Sequence, residues 1–298
     1  MKLIILFLLS ILFSCSEKRK TECNYITDYY QIIYKADYKF ETGNYKKAFQ
    51  LYENAFNSCK PITTLGYNEI ANFAETTAIL KKYDLTFEFV TKLILEGSEL
   101  TRFKNNTSFE GFLSSPYGAQ IINKYDSLRK QFMNKIDLEL REEIMFMCFA
   151  DQGIRNQGSD TDWTKVDSVD KLHEKRLIEL FENQGFPNEH MIGPNSIDHG
   201  QIDIGVLLLH TDDSIRMNYF VPKVREFVRK GKASPYYLGA MIDQYYYYHK
   251  EPQIYGTIRN VNMIDDLKKV DSNRISIGLP PLYLQQKKDS LIEIKYGF

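Results

Sequence analysis

His210 ends an apolar run, Val206-Leu207-Leu208-Leu209, and is followed closely by Asp212 and Asp213. A histidine at a helix C-terminus beside carboxylates is placed to act as a general base, and it serves equally as a plain helix-end cap. Asp151 and Arg155 stand four residues apart, so they meet on one helical face if the helix continues through Gly153. Such a pair stabilises a helix end by about 0.3 kcal/mol, or it holds the arginine ready for a carboxylate or phosphate. Asp243 sits between Met241-Ile242 and the run Tyr245 to Tyr248. An acid in such surroundings is a proton-transfer candidate or one half of a buried ion pair, with Arg155 as the partner to expect. Together these residues outline a hydrolase or transferase with His210 as base, Asp151 or Asp243 as orienter or acid, and Arg155 as anion clamp.

Gln253-x-Tyr255-Gly256-Thr257 reads as a tight extended turn whose glycine lets backbone approach a ligand or the next helix. Four consecutive tyrosines cannot share one helical face, so some pack inward while others are free to line a cleft and stack on sugar or peptide. No G-x-S-x-G, phosphate-cradling loop, Rossmann fingerprint or H-E-x-x-H is present, which disfavours the common serine hydrolases, nucleotide enzymes and zincins. No metal or cofactor is expected. A net charge of −1 argues against capture of nucleic acid. Cys23, Cys59 and Cys148 lack zinc-ligand spacing; one disulfide is possible, and the sequence does not choose the pair.

The elements that must position these residues read as helices. With 43% hydrophobic and 14% aromatic residues, the chain can bury a substantial core. The helical pattern begins near Tyr29, with loops at residues 105–108 and 114–118 and a long helix from about Ala119 to Ala150. Asp167 or Ser168 is expected to cap a helix with the stripe Leu172, Leu177, Leu180, Phe181, stopped by Gly185 and Pro187. Ser196 would cap the next, running to Leu209, and Asp213 another; Ser234-Pro235 is an N-cap and N1 pair opening a helix to about His249. Only residues 253–258 read as extended. The expected class is all-α: repeat-like helical hairpins, then a helical C-terminal domain with at most one short β-hairpin.

Three resemblances add to this reading. Gly43, Tyr45, Ala48, Tyr52 and Ala55 fall on the positions of a tetratricopeptide repeat, which the segment from Ala36 to Pro61 resembles. Physically, the glycine allows the turn between helices, Ala48 a close approach, and the tyrosines fill the groove. A second unit with Ala71, Ala74, Tyr83, Val90 and Leu93 is spaced wider than the period of ~34 residues. This resemblance implies a protein or peptide partner bound through residues 26–105. From Asp137 onward the chain resembles an uncharacterised bacterial family, domain of unknown function 6624. The match is carried by Asp151-Gln152-x-x-Arg155, Gly185-Phe186-Pro187, His210-x-Asp212, Asp243, Gln253-x-Tyr255-Gly256-Thr257, and Arg274 with Gly278-Leu279-Pro280-Pro281. It departs at Leu209, Gln244 and Ile258, where the family tends to have glutamine, arginine and glutamine. It supplies candidate positions rather than roles, with Gln152, Arg155, Gln253, Tyr255 and Thr257 as ligand-binding candidates. Finally, Lys2, the apolar run to Ser14 and the ending Leu12-Phe13-Ser14-Cys15 resemble a bacterial lipoprotein signal.

That last resemblance implies a signal peptide at residues 1–14 and an acylated Cys15 at the extracytoplasmic face of a membrane in the cell envelope. A tether over residues 15–25, a helical arm over 26–105 and a helical domain over 106–298 would follow. The function expected from the whole is a lipid-anchored binding or scaffold module with a small polar cleft, the alternative being the hydrolase or transferase outlined above.

Overall fold

The computed structural model describes residues 23–62, 68–197, 200–258, 264 and 266–297, so the expected signal peptide and Cys15 lie outside the described residues. The fold is all-α, as expected. Among the described residues no helix is long and apolar enough to cross a membrane.

A π-helical turn, Ile26–Tyr30, runs directly into α1 (Gln31–Glu41), which turns back on α2 (Tyr45–Ser58). The turn follows from sequence. Gly43 takes a φ of +72°, its N–H donates to Phe40 O (2.9 Å), and the Asn44 N–H donates to Lys39 O (2.8 Å). That pair of bonds closes the end of α1 as a Schellman motif. The Asn44 side chain then caps α2 by accepting from the Lys47 N–H. Ala48, Tyr52 and Ala55 are fully buried on the inner face of α2, as the packing argument requires.

α3 (Glu69–Ile79) and α4 (Tyr83–Ile94) form a second hairpin with the same turn geometry. Here the Lys81 N–H donates to Ala78 O and the Lys82 N–H to Thr77 O, and Lys81 itself holds a φ of +57°. A lysine occupies the left-handed position that glycine holds in the first hairpin. The two hairpins lock through rings: Phe73 of α3 meets Phe49 (5.5 Å between centroids), Tyr52 (5.8 Å) and Phe56 (5.2 Å) of α2 and Phe89 (4.6 Å) of α4. Offset and edge-on ring pairs of this kind are worth about 1 kcal/mol each beyond their buried area. The Cys23–Cys59 disulfide ties the entry of the first hairpin to its exit.

Short helices α5 (Leu100–Lys104) and α6 (Glu110–Leu113) lead to α7 (Pro116–Lys135), which packs along α4. The long helix expected to run to Ala150 breaks after α7, and α8 (Leu138–Arg155) continues it. Ile136 is extended, the Asp137 N–H is drawn to Met191 O (2.8 Å), and the Asp137 side chain caps α8 at the Leu140 N–H (2.9 Å).

α9 (Trp163–Asn183) starts earlier than expected because Asp162, not Asp167 or Ser168, is its cap. Its inward side carries Val166, Leu177, Leu180 and Phe181; Leu172, expected in that stripe, is 68% exposed. After α10 (Glu189–Ile192), residues expected to be helical form instead a hairpin of β1 (Ser196–Ile197) and β2 (Gly200–Gln201), paired Ser196 to Gln201 and Ile197 to Gly200. Arg141 of α8 pins the approach to this hairpin: its guanidinium donates to the carbonyls of Ile192 (2.8 Å), Pro194 (2.7 Å) and Asn195 (3.2 Å), and Asn195 O also accepts from the Ile202 N–H (3.0 Å) across the hairpin.

The next helix, α11 (Ile204–Leu209), is capped by Asp203. α12 (Asp213–Ile215), capped by Asp212 rather than by Asp213, leads through a π-helical turn into α13 (Val221–Arg229). α14 (Pro235–Tyr248) opens on the expected Ser234-Pro235 pair. Residues 251–258 are non-helical, and α15 (Leu267–Ser276) and α16 (Leu282–Tyr296) close the fold. One buried cluster runs through Tyr29, Phe73, Phe103, Ile144, Leu208, Leu238 and Leu279. Its ends are joined by α1, where the Tyr34 hydroxyl donates to Gly278 O and Gln31 Nε2 to Leu279 O.

Candidate functional site

Four of the candidate residues, Asp151, Gln152, Arg155 and His210, converge. α8 does continue through Gly153, which puts Arg155 one turn beyond Asp151, and the end of α11 presents His210 to the same point. Asp151 is fully buried. Its carboxylate accepts from Arg155 Nη1 (2.7 Å), Gln152 Nε2 (2.7 Å) and His210 Nδ1 (2.8 and 3.0 Å to its two oxygens). Burial pushes this carboxyl up, but the bonds from His210 and Gln152 and the charges of His210 and Arg155 outweigh it, so it is held below the usual range. Both oxygens of the buried carboxylate thus have a donor.

Arg155 is shared. While Nη1 meets Asp151, Nη2 lies 2.6 Å from both oxygens of Asp170 on α9. With both terminal nitrogens engaged by carboxylates, Arg155 is a tie between α8 and α9 rather than an open clamp for an anion. The expected neighbours of His210 are also occupied. Asp212 caps α12, Asp213 pairs with the buried Arg216, and the Asp212 N–H donates to Glu174 of α9 (2.8 Å). The carboxylate that orients His210 is thus Asp151, from a distant part of the chain. His210 is 26% exposed on its side chain, and its Nε2 makes no hydrogen bond among the described residues.

Asp170 and His173 were not legible as members of this site. Both lie on the inward side of α9 with Leu177, at positions i, i+3 and i+7. His173 is half-buried with its Nδ1 unpartnered, and burial lowers its pKa against the opposing charges of Asp151 and Asp170. The correct starting point of α9 is the signal that would have found them. Cys148, one turn before Asp151, is buried with its thiol pushed up by burial and its Sγ 3.5 Å from Asp203 O, so it is no activated nucleophile.

Asp243 belongs elsewhere. It is fully buried and accepts from the N–H groups of Ile254 (2.8 Å), Tyr255 (2.8 Å) and Thr257 (2.7 Å) and from the Thr257 hydroxyl (2.7 Å). The ion pair with Arg155 that was expected for it does not form. The Gln253 side chain closes a ring with Ile258, donating to its carbonyl (3.0 Å) and accepting from its N–H (2.9 Å). Tyr255 is buried, and its carbonyl accepts from Arg274 (2.8 Å). Asp243, Gln253, Tyr255, Thr257 and Arg274 therefore work as one device that fixes residues 253–258 in a compact turn with no ladder partner. Gly185-Phe186-Pro187 likewise serves packing: Phe186 lies against Phe181, Phe227 and Tyr237.

That fixed turn forms one wall of a cleft of about 370 Å3, lined by Tyr246, Glu251, Gln253, Asp266, Lys269 and Asn273 among others. Of the four tyrosines, Tyr246 is the one that reaches it; Tyr245 stacks on His249 (4.2 Å) and Tyr248 is exposed. A second opening of about 300 Å3 is lined by Ile26, Pro222, Arg225, Glu226, Arg229 and Ser276. His210 lines neither. Among the described residues the one grouping of metal-ligating types is Cys23, Asp28 and Cys59, whose sulfurs are spent on each other. Comparison with protein-family models, with curated proteins and with solved structures finds no match to this chain.

Proposed function

We propose that the protein is a binding module held at an envelope membrane by a lipid on Cys15, with an arm over residues 26–105 for a protein or peptide partner and a ligand cleft in the C-terminal domain. The observation that carries this reading is the cleft beside the Asp243-held turn, whose lining mixes apolar side chains such as Ile254 and Val270 with Glu251, Asp266 and Lys269. Its wall is preorganised by a buried carboxylate that accepts four hydrogen bonds, so no ordering of residues 253–258 has to accompany binding. Glu251, Asp266 and Lys269 offer both signs of charge and Tyr246 offers a ring face, which suits a small zwitterionic ligand such as an amino acid or short peptide. The test is a thermal-shift series with free amino acids and dipeptides on the intact protein and on Lys269→Ala. Stabilisation that needs Lys269 supports the reading, and no shift from any of them sinks it. The anchor has a separate test: Cys15→Ala should move the protein from the membrane to the soluble fraction, and unchanged membrane association overturns it. A Cys23–Cys59 bond is in keeping with an oxidising compartment.

The second reading is acid–base catalysis by His210, with Asp151 as its orienting carboxylate. It is favoured by one observation, the Nδ1 contact to a buried acid that leaves Nε2 at the surface. Under it, His210→Gln abolishes hydrolysis of small ester or amide probes while thermal stability holds. Under the binding reading, the same change costs stability and alters nothing else.

A further inference from the structure

The described chain begins beside a basic helix. Cys23 is bonded to Cys59, and the Tyr25 hydroxyl donates to Lys60 O (2.8 Å). The Tyr25 ring lies against Gly231, where an added Cβ would come within 2.7 Å of it. Gly231 follows the last turn of α13, so the point from which the chain runs back toward Cys15 is fixed at that end of the helix. One residue further on, Ile26 walls the hollow of about 300 Å3 whose other lining is Pro222, Arg225, Glu226 and Arg229 of α13 and Ser276 of α15. The four residues of α13 stand at i, i+3, i+4 and i+7, which is one helical face, and all four are exposed.

This stretch carries cations that the fold does not use. Lys223, Arg225, Arg229, Lys230 and Lys232 crowd into it, in a chain whose net charge is −1. The acids around it are already engaged. Glu226 pairs with Lys230 (2.6 Å), which with the added charge of Arg229 holds its carboxyl below the usual range. Glu182 takes Lys223 (2.9 Å) and the Tyr219 hydroxyl (2.6 Å), and Asp28 accepts from the Asn24 N–H (3.1 Å) and the Thr27 hydroxyl (2.7 Å). The side chains of Arg225, Arg229 and Lys232 make no hydrogen bond or ion pair among the described residues. Arginines one turn apart hold their Cβ atoms about 6 Å from each other, near enough for both guanidinium forks to close on the oxygens of one phosphate.

We infer that this face of α13 docks on the anionic phospholipid head groups of the membrane that holds the anchor, with one lipid phosphate seated in the hollow between Arg225 and Arg229. The inference rests on the reading of Cys15 as lipidated and is independent of the ligand cleft. Two features point to a lipid surface rather than to another anion. Eight residues separate Cys15 from Cys23, which is about 28 Å at full extension, so the bilayer surface stays within that distance of the exit beside α13. The intervening sequence contains Lys18-Arg19-Lys20, so basic character continues from the fold toward the anchor. A single exposed cation gains little from a charged plane, whereas several aimed at the same plane add together. Ile26 and Pro222 give the hollow an apolar side suited to the glycerol carbons of the head group.

The test reconstitutes the full chain into vesicles of phosphatidylcholine alone or of equal parts phosphatidylcholine and phosphatidylglycerol. Arginines are then labelled with phenylglyoxal and each site is read by mass spectrometry. Flotation with the vesicles reports the anchor, and labelling reports docking. On the anionic vesicles Arg225 and Arg229 should label about fivefold more slowly than on the zwitterionic ones, while the exposed Arg102 of α5 labels equally on both. In 1 M salt, where the screening length falls to about 3 Å, the difference should vanish. In Arg229→Gln the protection of Arg225 should largely disappear, because the two share one phosphate. Equal labelling of the pair on both vesicles overturns the inference, and so does protection of Arg102 to the same degree. If glycerol phosphate slows labelling as much in detergent solution without vesicles, the site takes a free phosphate ester and the inference falls. If polyglutamate does so, the face takes acidic protein and the inference falls equally. Protein that floats with both arginines unprotected loses the docking alone, whereas protein that does not float loses the anchor and the docking together.

Discussion

Replacing Asp151 by asparagine separates the structural role of its network from a catalytic one. The carboxylate, itself fully buried, takes bonds from Arg155, Gln152 and His210. Asparagine keeps one acceptor oxygen and turns an amide donor toward groups that are themselves donors. At least one charge-assisted bond is lost, and Arg155 loses one of its two carboxylates. Breaking a buried pair from one side costs about 3 kcal/mol, and His210→Ala, which leaves Asp151 with two donors, should cost about 1–2 kcal/mol. The two changes share an interaction, so the double variant should lose less than the sum. Urea unfolding at pH 7 measures all three. The pH dependence has a definite sign. The folded-state pKa of Asp151 is depressed, so its stabilisation is present above the unfolded pKa near 4 and is lost as pH falls through the lower folded value. The gap between wild type and Asp151→Asn should therefore narrow in acid. A gap under about 1 kcal/mol at pH 7, or one that does not change in acid, refutes the account of Asp151 as a structural anion.

Three further outcomes follow from the fold. Cys23 and Cys59 close a loop of 36 residues, so replacing both with alanine should cost about 4 kcal/mol by the chain-entropy relation, read as a shift in the urea midpoint; no shift would mean that the first hairpin is already ordered without the bond. Lys81→Gly relieves a left-handed φ and should raise stability by about 1 kcal/mol, whereas the same change at Lys82 should not. Glu69→Gln should stabilise the protein increasingly as pH rises. The folded pKa of Glu69 is raised, so its favourable contribution is complete below the unfolded pKa and disappears as pH climbs through the folded value; a variant no more stable than wild type at pH 9 contradicts this.

The helical class and several boundaries were legible because their signals are local. Gly43-Asn44 and Ser234-Pro235 work through hydrogen bonds that span only a few residues, and both behave as read. The second hairpin was harder to read because Lys81 replaces the glycine, although the backbone takes the same path. Ser196 failed as a helix cap because the segment is held by long-range bonds that leave no local signal: Arg141, far away in sequence, fixes the carbonyls before it, and Asn195 O pairs with the Ile202 N–H. The Asp151–His210 contact was guessable from residue type, but its completion by Asp170 depended on where α9 begins. Asp243 misled for a physical reason: its partners are mostly backbone N–H groups, which carry no side-chain signature.

The contacts that join α1 to the end of the chain have a temporal consequence. Tyr34 and Gln31 bond to Gly278 and Leu279, and Lys288 reaches Asp37, across almost the whole length of the polypeptide. At ordinary synthesis rates the segment that covers the first hairpin is made on the order of tens of seconds after the hairpin itself. For that interval the face of α1 that α16 later covers stands open, with Asp37 held only by Tyr52 and Asn72 and Glu41 without its lysine. The arm must be soluble in that half-finished state, and the carboxylate of Glu41 on that face favours it. A surface that is compelled to be presentable before it is covered is also one on which another molecule can arrive first.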